Sequence, residues 1–482
     1  MSEKGQDSLR TAILRSGRSI DRRTLLRNSA AFGIAAPLLD GYLAVMSPGA
    51  MAQGGYDPKK YAGTEINLLM TGDENDHRAI GDLLGELEAE TGIKVNISSP
   101  ALAPLVEKTL QTLKSEKSPF EIIEYIGFLT TQQVGGGYFE QLNKYIEDPA
   151  ETPPDWDFDD FLEPAMKNVG YYDLEKGELG VGKDVYGIPG VHSGSVIYFY
   201  RKDLFEAAGL QPAKTWDEFH EAAKILTTDD VAGCSMIGAN DFSLGVVDWY
   251  TRFITTGGVL CSGSPKDGTF KPQVNTPEGI NALQMLIDVL PFAPKNVTTY
   301  GFAENVDGWS AGKIAQMIFW VAVAGPVYNP DTSLVADVTG TGPVPAAPGN
   351  DPRAIQGGWG LGIPKNADES KKAAAWRALT WITNKRVNEY SVEKYQIDAN
   401  RASTFQSPDL VEKFPYLPDA LTAAQTAETI PTSLIDEFFQ LNDIMNVEFN
   451  AALIGQQDAA TACARVQSQW EDIFRKAGHL KA

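Results

Sequence analysis

YGIPGVHSGSVIYFYRKDLFEAAGLQPAKTWDEFHEAAKIL, residues 186–226, alternates between strand-forming and helix-forming segments. The β-branched and aromatic run at 196–200 predicts a strand. Thr215 and Glu218 have the spacing of a capping box, so a helix should begin directly after Thr215. The glycine-bearing residues 189–194 precede the strand and are typical of a link between two sheet-forming regions. The pattern therefore predicts an α/β chain that passes from one sheet to another at this point.

Upstream of this segment, strands and helices alternate in the order expected for a parallel sheet. The predicted strands are 64–70, 93–97 and 119–125, and the predicted helices between them are 77–91 and 105–114. Strand–helix–strand connections imply a sheet that is covered by helices. Ligands of such sheets bind at the carboxyl ends of the strands, which singles out Asp73 and Glu74 after the first strand and Tyr125 at the end of the third.

The downstream half continues the α/β pattern. Helices are predicted over 248–256, 281–290, 368–384, 433–453 and 458–476. Residues 313–323 form an apolar run that suits either a buried strand or a helix. Residues 335–349, rich in Gly, Pro and Ala, are a candidate second crossing between lobes, and the proline-punctuated stretch 408–418 is predicted as a loop.

Length, charge and cysteine content limit the classes of protein to which this chain can belong. Its 482 residues are too many for one ordinary core and suit two lobes or domains. The formal net charge of −22 gives no electrostatic footprint for nucleic acid or anionic membranes. Three cysteines exclude a disulfide scaffold. Two alternatives stay open for Cys234 and Cys261: a disulfide formed in an oxidising compartment, or two buried thiols.

Residues 1–52 have the features of an export signal that is removed from the mature chain. The adjacent pair Arg22 and Arg23 precedes a modestly apolar run, and the Ala-Met-Ala sequence at 50–52 supplies a cleavage site. This segment resembles a twin-arginine signal. A membrane anchor is the alternative, and Asp40 within the apolar run argues against it. We therefore expect cleavage after residue 52 and a periplasmic protein without a lipid anchor.

Several blocks of the sequence resemble, in order, the extracellular solute-binding proteins of bacterial ABC importers, the group that includes maltose-binding protein. The blocks are GIKV at 92–95, the segment 198–226, WSAGKIAQM at 309–317, GGWGLGIPKN at 357–366 and the closing helices at 446–478. No block is decisive alone, but together they span nearly the whole chain after the signal.

The resemblance implies a two-lobe periplasmic-binding-protein fold, in which each lobe is a central sheet flanked by helices. About three crossings form the hinge, and we place them near 190–195, 335–348 and 403–410. The first lobe would then comprise 53–190 plus 340–405, and the second lobe 191–339 plus 406–482.

The same resemblance implies that a monomeric protein holds a sugar, polyol or related polar solute between its lobes and delivers it to the transmembrane subunits of an ABC permease. Such a site needs aromatic rings that stack on C–H faces, and carboxylates, amides or guanidinium groups that bind pairs of hydroxyls. The candidates are Asp73, Glu74, Tyr125, His192, Asp248, Trp249, Trp320, Trp359 and Arg401.

The candidates also have structural alternatives. The tryptophans suit a buried core as well as a cleft, the acids at 73 and 74 suit a helix N-terminus, and Arg401 suits an interlobe salt bridge. Strand alternation places the ring of Trp359 on one face and the glycines at 358, 360 and 362 on the other. That bare face predicts the close approach of neighbouring backbone or of a ligand.

The sequence also bears on the ligand and on enzymatic alternatives. Maltose-binding proteins have an acidic residue after the hinge proline, and Val191-His192-Ser193-Gly194 contains no counterpart to it. This difference disfavours a maltodextrin ligand and favours polyols and monosaccharides. A secreted carbohydrate-active hydrolase is the rival class, but no nucleophile elbow, zinc-binding motif or phosphate-binding loop occurs. The four histidines are not paired at helical spacing. We expect no catalytic residues, cofactor or metal.

Overall fold

The computed structural model describes residues 55–72, 75–191 and 193–481. Residues 57–482 belong to one compact unit. The segment 1–52, predicted to be an export signal, and three of the binding candidates, Asp73, Glu74 and His192, lie outside the described residues. Within the described ranges, no helix is both long enough and apolar enough to cross a membrane.

Strands and helices alternate through the chain. The strands are β1 (Glu65–Leu69), β2 (Lys94–Ser98), β3 (Ile122–Ile126), β4 (Tyr172–Asp173), β5 (Glu178–Leu179), β6 (Ile188–Pro189), β7 (Val196–Arg201), β8 (Cys261–Ser262), β9 (Lys271–Pro272), β10 (Gln316–Trp320), β11 (Thr339–Gly342) and β12 (Trp359–Gly362). The α-helices are α1 (Asp76–Thr91), α2 (Leu102–Lys114), α3 (Asn143–Ile146), α4 (Glu163–Ala165), α5 (Lys202–Ala207), α6 (Trp216–Leu226), α7 (Tyr250–Thr255), α8 (Pro277–Asp288), α9 (Phe302–Ser310), α10 (Ala324–Tyr328), α11 (Lys372–Ile382), α12 (Lys385–Tyr395), α13 (Ala402–Phe405), α14 (Pro408–Lys413), α15 (Leu417–Thr426), α16 (Phe438–Leu453) and α17 (Ala459–Ala477).

A five-stranded sheet is the centre of the first lobe. Its strand order is β2-β1-β3-β12-β6, in which β1 pairs in parallel with β2 and β3, and β12 runs antiparallel to β3 and β6. Helices α1, α11 and α12 pack together over one face. Helix α1 ends where the sequence predicts, because Gly92 adopts the left-handed conformation with φ of 71°.

The second lobe is built on a smaller antiparallel sheet with the order β10-β7-β11. The predicted capping box opens α6: Glu218 N donates to Thr215 Oγ1 at 3.2 Å, and Thr215 N donates back to the Glu218 carboxylate at 3.0 Å. The ambiguous run at 313–323 contains strand β10. The predicted helix at 248–256 instead begins earlier, as the π-helix Leu244–Trp249 that continues into α7.

The chain changes sheets between β6 and β7 and again between β11 and β12. The prediction of a two-lobe α/β fold is thus confirmed. The lobe boundary expected at residue 340 falls inside β11, which pairs with β7 of the second sheet, so the chain returns to the first sheet only after Gly342.

The glycines of β12 make room for aromatic rings of the first lobe. A Cβ on Gly360 would lie 2.7 Å from Cζ of Tyr125, and a Cβ on Gly362 would lie 2.6 Å from Cδ1 of Phe139. Side chains at these two positions would therefore collide with rings that are themselves buried. The bare strand face predicted from the sequence is a packing surface inside the lobe.

The stretch 408–418 is largely helical, which corrects the expectation of a loop. Pro408 is the first residue of α14, and Pro418 lies in the first turn of α15. Proline is tolerated in the first turn because the N–H that it lacks would have no partner within the helix. The two prolines therefore begin helices and do not interrupt one.

All three cysteines, Cys234, Cys261 and Cys463, are buried free thiols. The disulfide alternative for Cys234 and Cys261 is not realised. Burial raises the pKa of the Cys234 and Cys463 thiols to about 12 and also raises the pKa of Cys261. All three side chains are therefore neutral at pH 8 and shielded from reagents.

We expect the native protein to be inert to a thiol-specific reagent at pH 8, because both burial and the raised pKa values suppress the reactive thiolate. The same protein in guanidinium chloride, without reductant, should react at all three cysteines. Absorbance of the released chromophore gives the number of reactive thiols in the native protein and in the unfolded protein. A rapid reaction of the native protein, or a single reactive thiol after unfolding, would contradict the assignment.

Candidate functional site

A cavity of about 630 Å³ lies between the two lobes. Its first-lobe wall is the start of α2, from Ala101 to Val106, and its second-lobe wall consists of residues 240–242 together with one face of α16. This volume falls within the range of small-molecule binding sites. The cavity is therefore the candidate site for a small solute.

The carboxyl ends of the first-lobe strands position the first-lobe wall. Gly72 N, after β1, donates to Pro100 O, after β2, at 2.7 Å. Thr71 N donates at 2.7 Å to the buried carboxylate of Glu124 on β3. The loops that follow these parallel strands therefore meet at one edge of the sheet, where ligands of such sheets bind. Residues 73 and 74 belong to the first of these loops in the sequence, outside the described residues.

Four phenylalanines form an interlobe cluster beside the cavity. Phe128, which follows β3, stacks on Phe438 with ring centroids 4.9 Å apart and an interplanar angle of 9°. Phe242 lies 5.5 Å from Phe128 and 5.7 Å from Phe439, centroid to centroid. Phe242 and Phe439 also line the cavity. The cluster holds the lobes in contact and gives the cavity an apolar wall on which C–H faces can pack.

The second-lobe wall is rich in hydrogen-bond acceptors. Asp241 accepts a bond from Ser243 N at 3.0 Å, which fixes the loop. Asn442 donates through Nδ2 to Phe242 O at 3.0 Å, and Asn446 lines the cavity one turn further along α16. Among the described residues that line the cavity there is no Lys, Arg or His. In the described part of the chain, no group of three or more His, Cys, Asp or Glu side chains could hold a metal ion.

Trp320 lies at the end of β10, on the side of the second sheet that faces the hinge. Its ring is partly exposed, and its Nε1 donates to Ser243 Oγ at 3.3 Å. Ser243 follows the cavity-lining residues 240–242, so the ring lies next to that wall. The ring also packs over Gly357, where a Cβ would lie 2.9 Å from Cζ3 of Trp320. The structure thus brings this predicted residue to the interlobe boundary.

Trp359 begins β12 and pairs with Ile126 at the carboxyl end of β3. Its carbonyl accepts a bond from Gly190 N at 2.8 Å, so it also borders the first link between the lobes. Its side chain, however, is only 4% exposed. Trp359 therefore lies beside the carboxyl ends of the parallel strands, where a ligand is expected, but its ring is largely covered.

Tyr125 and Arg401 lie in the core of the first lobe and not at the cavity. The hydroxyl of Tyr125 donates to Val169 O at 2.5 Å, and its ring is enclosed. The guanidinium of Arg401 donates to Thr383 O at 2.8 Å and contacts the Asp160 carboxylate at 3.3 Å. The Tyr125 hydroxyl and the Nε and Nη1 atoms of Arg401 have partners within the lobe, and Arg401 Nη2 is buried, so core contacts replace the expected ligand contacts.

Asp248 and Trp249 lie in the core of the second lobe. Trp249 Nε1 donates to Gly279 O at 2.9 Å. The Asp248 carboxylate accepts from Ile237 N at 2.9 Å and pairs with the buried Arg252 at 3.3 Å. Burial raises the pKa of Asp248 to about 6, although Arg252 opposes the shift. These two predicted residues are therefore parts of a buried network and do not reach the cavity.

An Asp248→Asn variant should bind its solute normally and lose a pH dependence of its stability. Burial raises the pKa of Asp248 even with Arg252 beside it, so the folded state favours the neutral form of this side chain and a neutral amide should cost little stability at pH 7.5. The native pKa of about 6 lies above the unfolded value, so the wild-type group contributes stability below pH 3.8 that is lost as the pH rises to 6. The variant should lack this slope. Urea unfolding between pH 4 and 7.5, together with calorimetry, measures both effects, and a weakened affinity would place Asp248 in the site.

Sequence reasoning missed Asp241, Phe242 and Asn442. A weak signal was available for the third, because asparagines recur at 442, 446 and 450, one turn apart on a helix whose buried positions are mostly apolar. Amides repeated on the inner face of a helix need partners, which either the core or a ligand must supply. No spacing rule distinguishes the phenylalanine from a core residue.

The chain belongs to the bacterial extracellular solute-binding protein family, which matches residues 72–389. The mannitol-binding protein of Pseudomonas aeruginosa is 27% identical over 368 residues, covering 70% of this chain and 78% of that protein. The sn-glycerol-3-phosphate-binding periplasmic protein of Rhizobium meliloti is 27% identical over 293 residues, covering 56% of this chain and 64% of that protein. The fold matches a crystal structure of an ABC transporter solute-binding protein from Agrobacterium radiobacter in complex with ribitol, with a TM-score of 0.73. The two sequences are 23% identical, and the match covers 86% of this chain and 99% of that chain. The resemblance read from the sequence is confirmed.

Proposed function

We propose that this protein is the periplasmic substrate-binding component of an ABC importer and that it captures a sugar, polyol or related polar solute between its lobes. The observation that carries the proposal is the interlobe cavity, which combines hydrogen-bond acceptors with an aromatic wall. The hydroxyl groups of such a solute need hydrogen-bond acceptors, and its C–H faces need an aromatic surface. Family membership and a relative named for mannitol support the same solute class.

In this proposal, solute binding and lobe closure are one equilibrium. A solute in the cavity touches α2 of the first lobe and Asp241 and α16 of the second, so it stabilises the arrangement in which both walls are present. Trp320 supplies a stacking surface at the hinge side. Trp359, the acids at 73 and 74, and His192 complete the site from the first lobe and the link. The closed protein then docks on the permease.

The proposal includes the maturation and organisation inferred from the sequence. Residues 1–52 act as a twin-arginine signal, and the mature protein is a periplasmic monomer. Residues 53–190 belong to the first lobe and 191–342 to the second, with the boundary moved from 340 to follow β11. The remaining chain divides near residue 405.

We propose a binding protein and no enzyme. The relatives compared above are named for the solutes that they bind. The hydrolase alternative needs two carboxylates at a defined separation around a scissile bond, and no observation at the cavity favours it.

A thermal-shift screen of polyols, monosaccharides and disaccharides tests the proposed function. A solute at about 100 times its Kd adds about 2.7 kcal/mol to the free energy of unfolding, so the melting temperature should rise by several degrees. Titration calorimetry should then give one site per chain, and chromatography should recover the solute intact. The proposal fails if no solute of these classes stabilises the protein, or if the solute is cleaved.

A further inference from the structure

The interlobe cavity has a charge character that bears on its ligand. The carboxylates of Asp241 and Asp443 line it together with three asparagines, and no cationic side chain is among its described lining residues. A third carboxylate lies behind Asp241: Oδ2 of Asp241 and Oε2 of Glu304 are both 3.4 Å from the position that a Cβ on Gly301 would take. The second-lobe wall is therefore negative and unneutralised within the described cavity.

A buried acceptor at the same wall points to a ligand that donates. Asn442 is 4% exposed, and its Nδ2 is committed to Phe242 O. Its Oδ1 accepts no hydrogen bond from any described residue. A buried amide oxygen without a donor costs free energy that a ligand O–H can recover. Asn442 lines the cavity but its Oδ1 has almost no exposed surface, so a ligand hydroxyl reaches this acceptor when the amide shifts toward the cavity.

Resting on the proposed function, we propose that the cavity selects an uncharged, hydroxyl-rich solute and rejects the phosphate ester of the same solute. Polyol O–H groups donate to Asn442 Oδ1 and to the Asp241 carboxylate. A phosphate group at pH 7 carries close to two negative charges and offers hydrogen-bond acceptors in place of donors. It would therefore lie against carboxylates with no cationic side chain to neutralise it. The relatives include a mannitol-binding and a glycerol-phosphate-binding protein, and the cavity chemistry places this chain with the first.

Matched pairs of solutes test this selectivity. Mannitol, ribitol, erythritol and glycerol are each compared with mannitol 1-phosphate, ribitol 5-phosphate, erythritol 4-phosphate and glycerol 3-phosphate by calorimetry and thermal shift at pH 7.5. The uncharged member of the binding pair should bind about 100-fold more tightly than its ester. Equal or tighter binding of an ester overturns the selectivity but leaves the proposed function standing. Binding of neither member of any pair overturns the inferred selectivity for polyols, and the wider screen of monosaccharides and disaccharides then decides the proposed function.

An Asp241→Asn variant tests which group sets the selectivity. The substitution keeps an oxygen for Ser243 N and removes the charge, so the ester should gain affinity and the preference should narrow about tenfold. Asp229→Asn is the matched control, because Asp229 is exposed and does not line the cavity. The control should preserve the full preference. An unchanged preference in Asp241→Asn would overturn the role of this carboxylate.

Discussion

A Gly194→Ala variant should lose about 3 kcal/mol of its free energy of unfolding and bind its solute at least about tenfold more weakly. Gly194 lies in the first link between the lobes, with φ of 63°. An added Cβ would lie 2.2 Å from Gly358 N, which is too close for any contact between unbonded atoms. The neighbouring Gly357 N donates to Gly194 O at 3.0 Å, so the clash would also break the bond that joins the two passing segments.

The matched control for this prediction is Gly209→Ala. Gly209 has nearly the same backbone conformation, with φ of 67°, but an added Cβ there would meet no atom within 4 Å. It should therefore show only the conformational cost of a left-handed alanine, about 1 kcal/mol. The difference between the two variants isolates the contact between the link and the strand after it.

Urea unfolding gives the stability of both variants, and calorimetry with the solute found by the screen gives their affinities. Glycine 194 acts through the hinge only if its substitution weakens binding by more than its effect on the folded fraction explains. If both variants lose the same stability and bind equally well, the close packing at Gly194 does not govern the closed arrangement.

Local signals in the sequence were sufficient for most strands and helices. The capping box at Thr215 and Glu218 formed as predicted, and Gly92 ended α1, because both depend on residues a few positions apart. The 408–418 prediction failed for a local reason as well. The loop prediction treats proline as a helix breaker, whereas Pro408 and Pro418 lie in first turns, where proline is compatible with a helix.

The occupants of each packed face could not be derived from the sequence. The alternation of β12 predicted a bare glycine face, but its neighbours Tyr125 and Phe139 come from other parts of the chain. The sequence suggests Arg401 as a binder of ligand hydroxyls, but its carboxylate partner, Asp160, lies 241 positions away. Polar residues committed to distant partners look identical, in sequence, to polar residues that wait for a ligand.

The cavity illustrates the opposite case, in which residues of the site are not distinguished by their local sequence. Asp241 lies in an ordinary loop, and Asn442 lies on an amphipathic helix. Their meeting across the second-lobe wall depends on how α16 packs beside the loop. The binding class could be inferred from the sequence through several ordered blocks, whereas the position of the site required the tertiary arrangement.

A Trp320→Ala variant should bind its solute about 30-fold more weakly, a loss of about 2 kcal/mol that is typical of a central aromatic contact. Trp320 is the predicted tryptophan whose ring the structure leaves partly exposed at the interlobe boundary. Its removal would also free Ser243, which accepts from Nε1 at 3.3 Å, and loosen the loop that carries Asp241. Both effects act on binding more than on the folded core.

Two substitutions separate stacking from the hydrogen bond. Trp320→Phe keeps an aromatic face and removes the Nε1 donor, so it should recover most of the affinity if stacking dominates. Trp249→Phe removes the donor to Gly279 O in the core of the same lobe. This control should lower the stability by about 1 kcal/mol and leave the affinity unchanged.

Calorimetry gives the affinity per folded molecule when circular dichroism is used to check the folded fraction. This affinity shows which tryptophan, Trp320 or Trp359, stacks on the solute. Trp359 is almost fully covered in the structure, so Trp359→Ala should lower the stability of the first lobe more than Trp320→Ala lowers that of the second. If only Trp359→Ala reduced the affinity, the stacking surface would belong to the first lobe, and the solute would lie against the glycine-rich strand. If Trp320→Ala alone reduced it, the second lobe would supply the stacking ring, and Trp359 would be a core residue at the edge of the site.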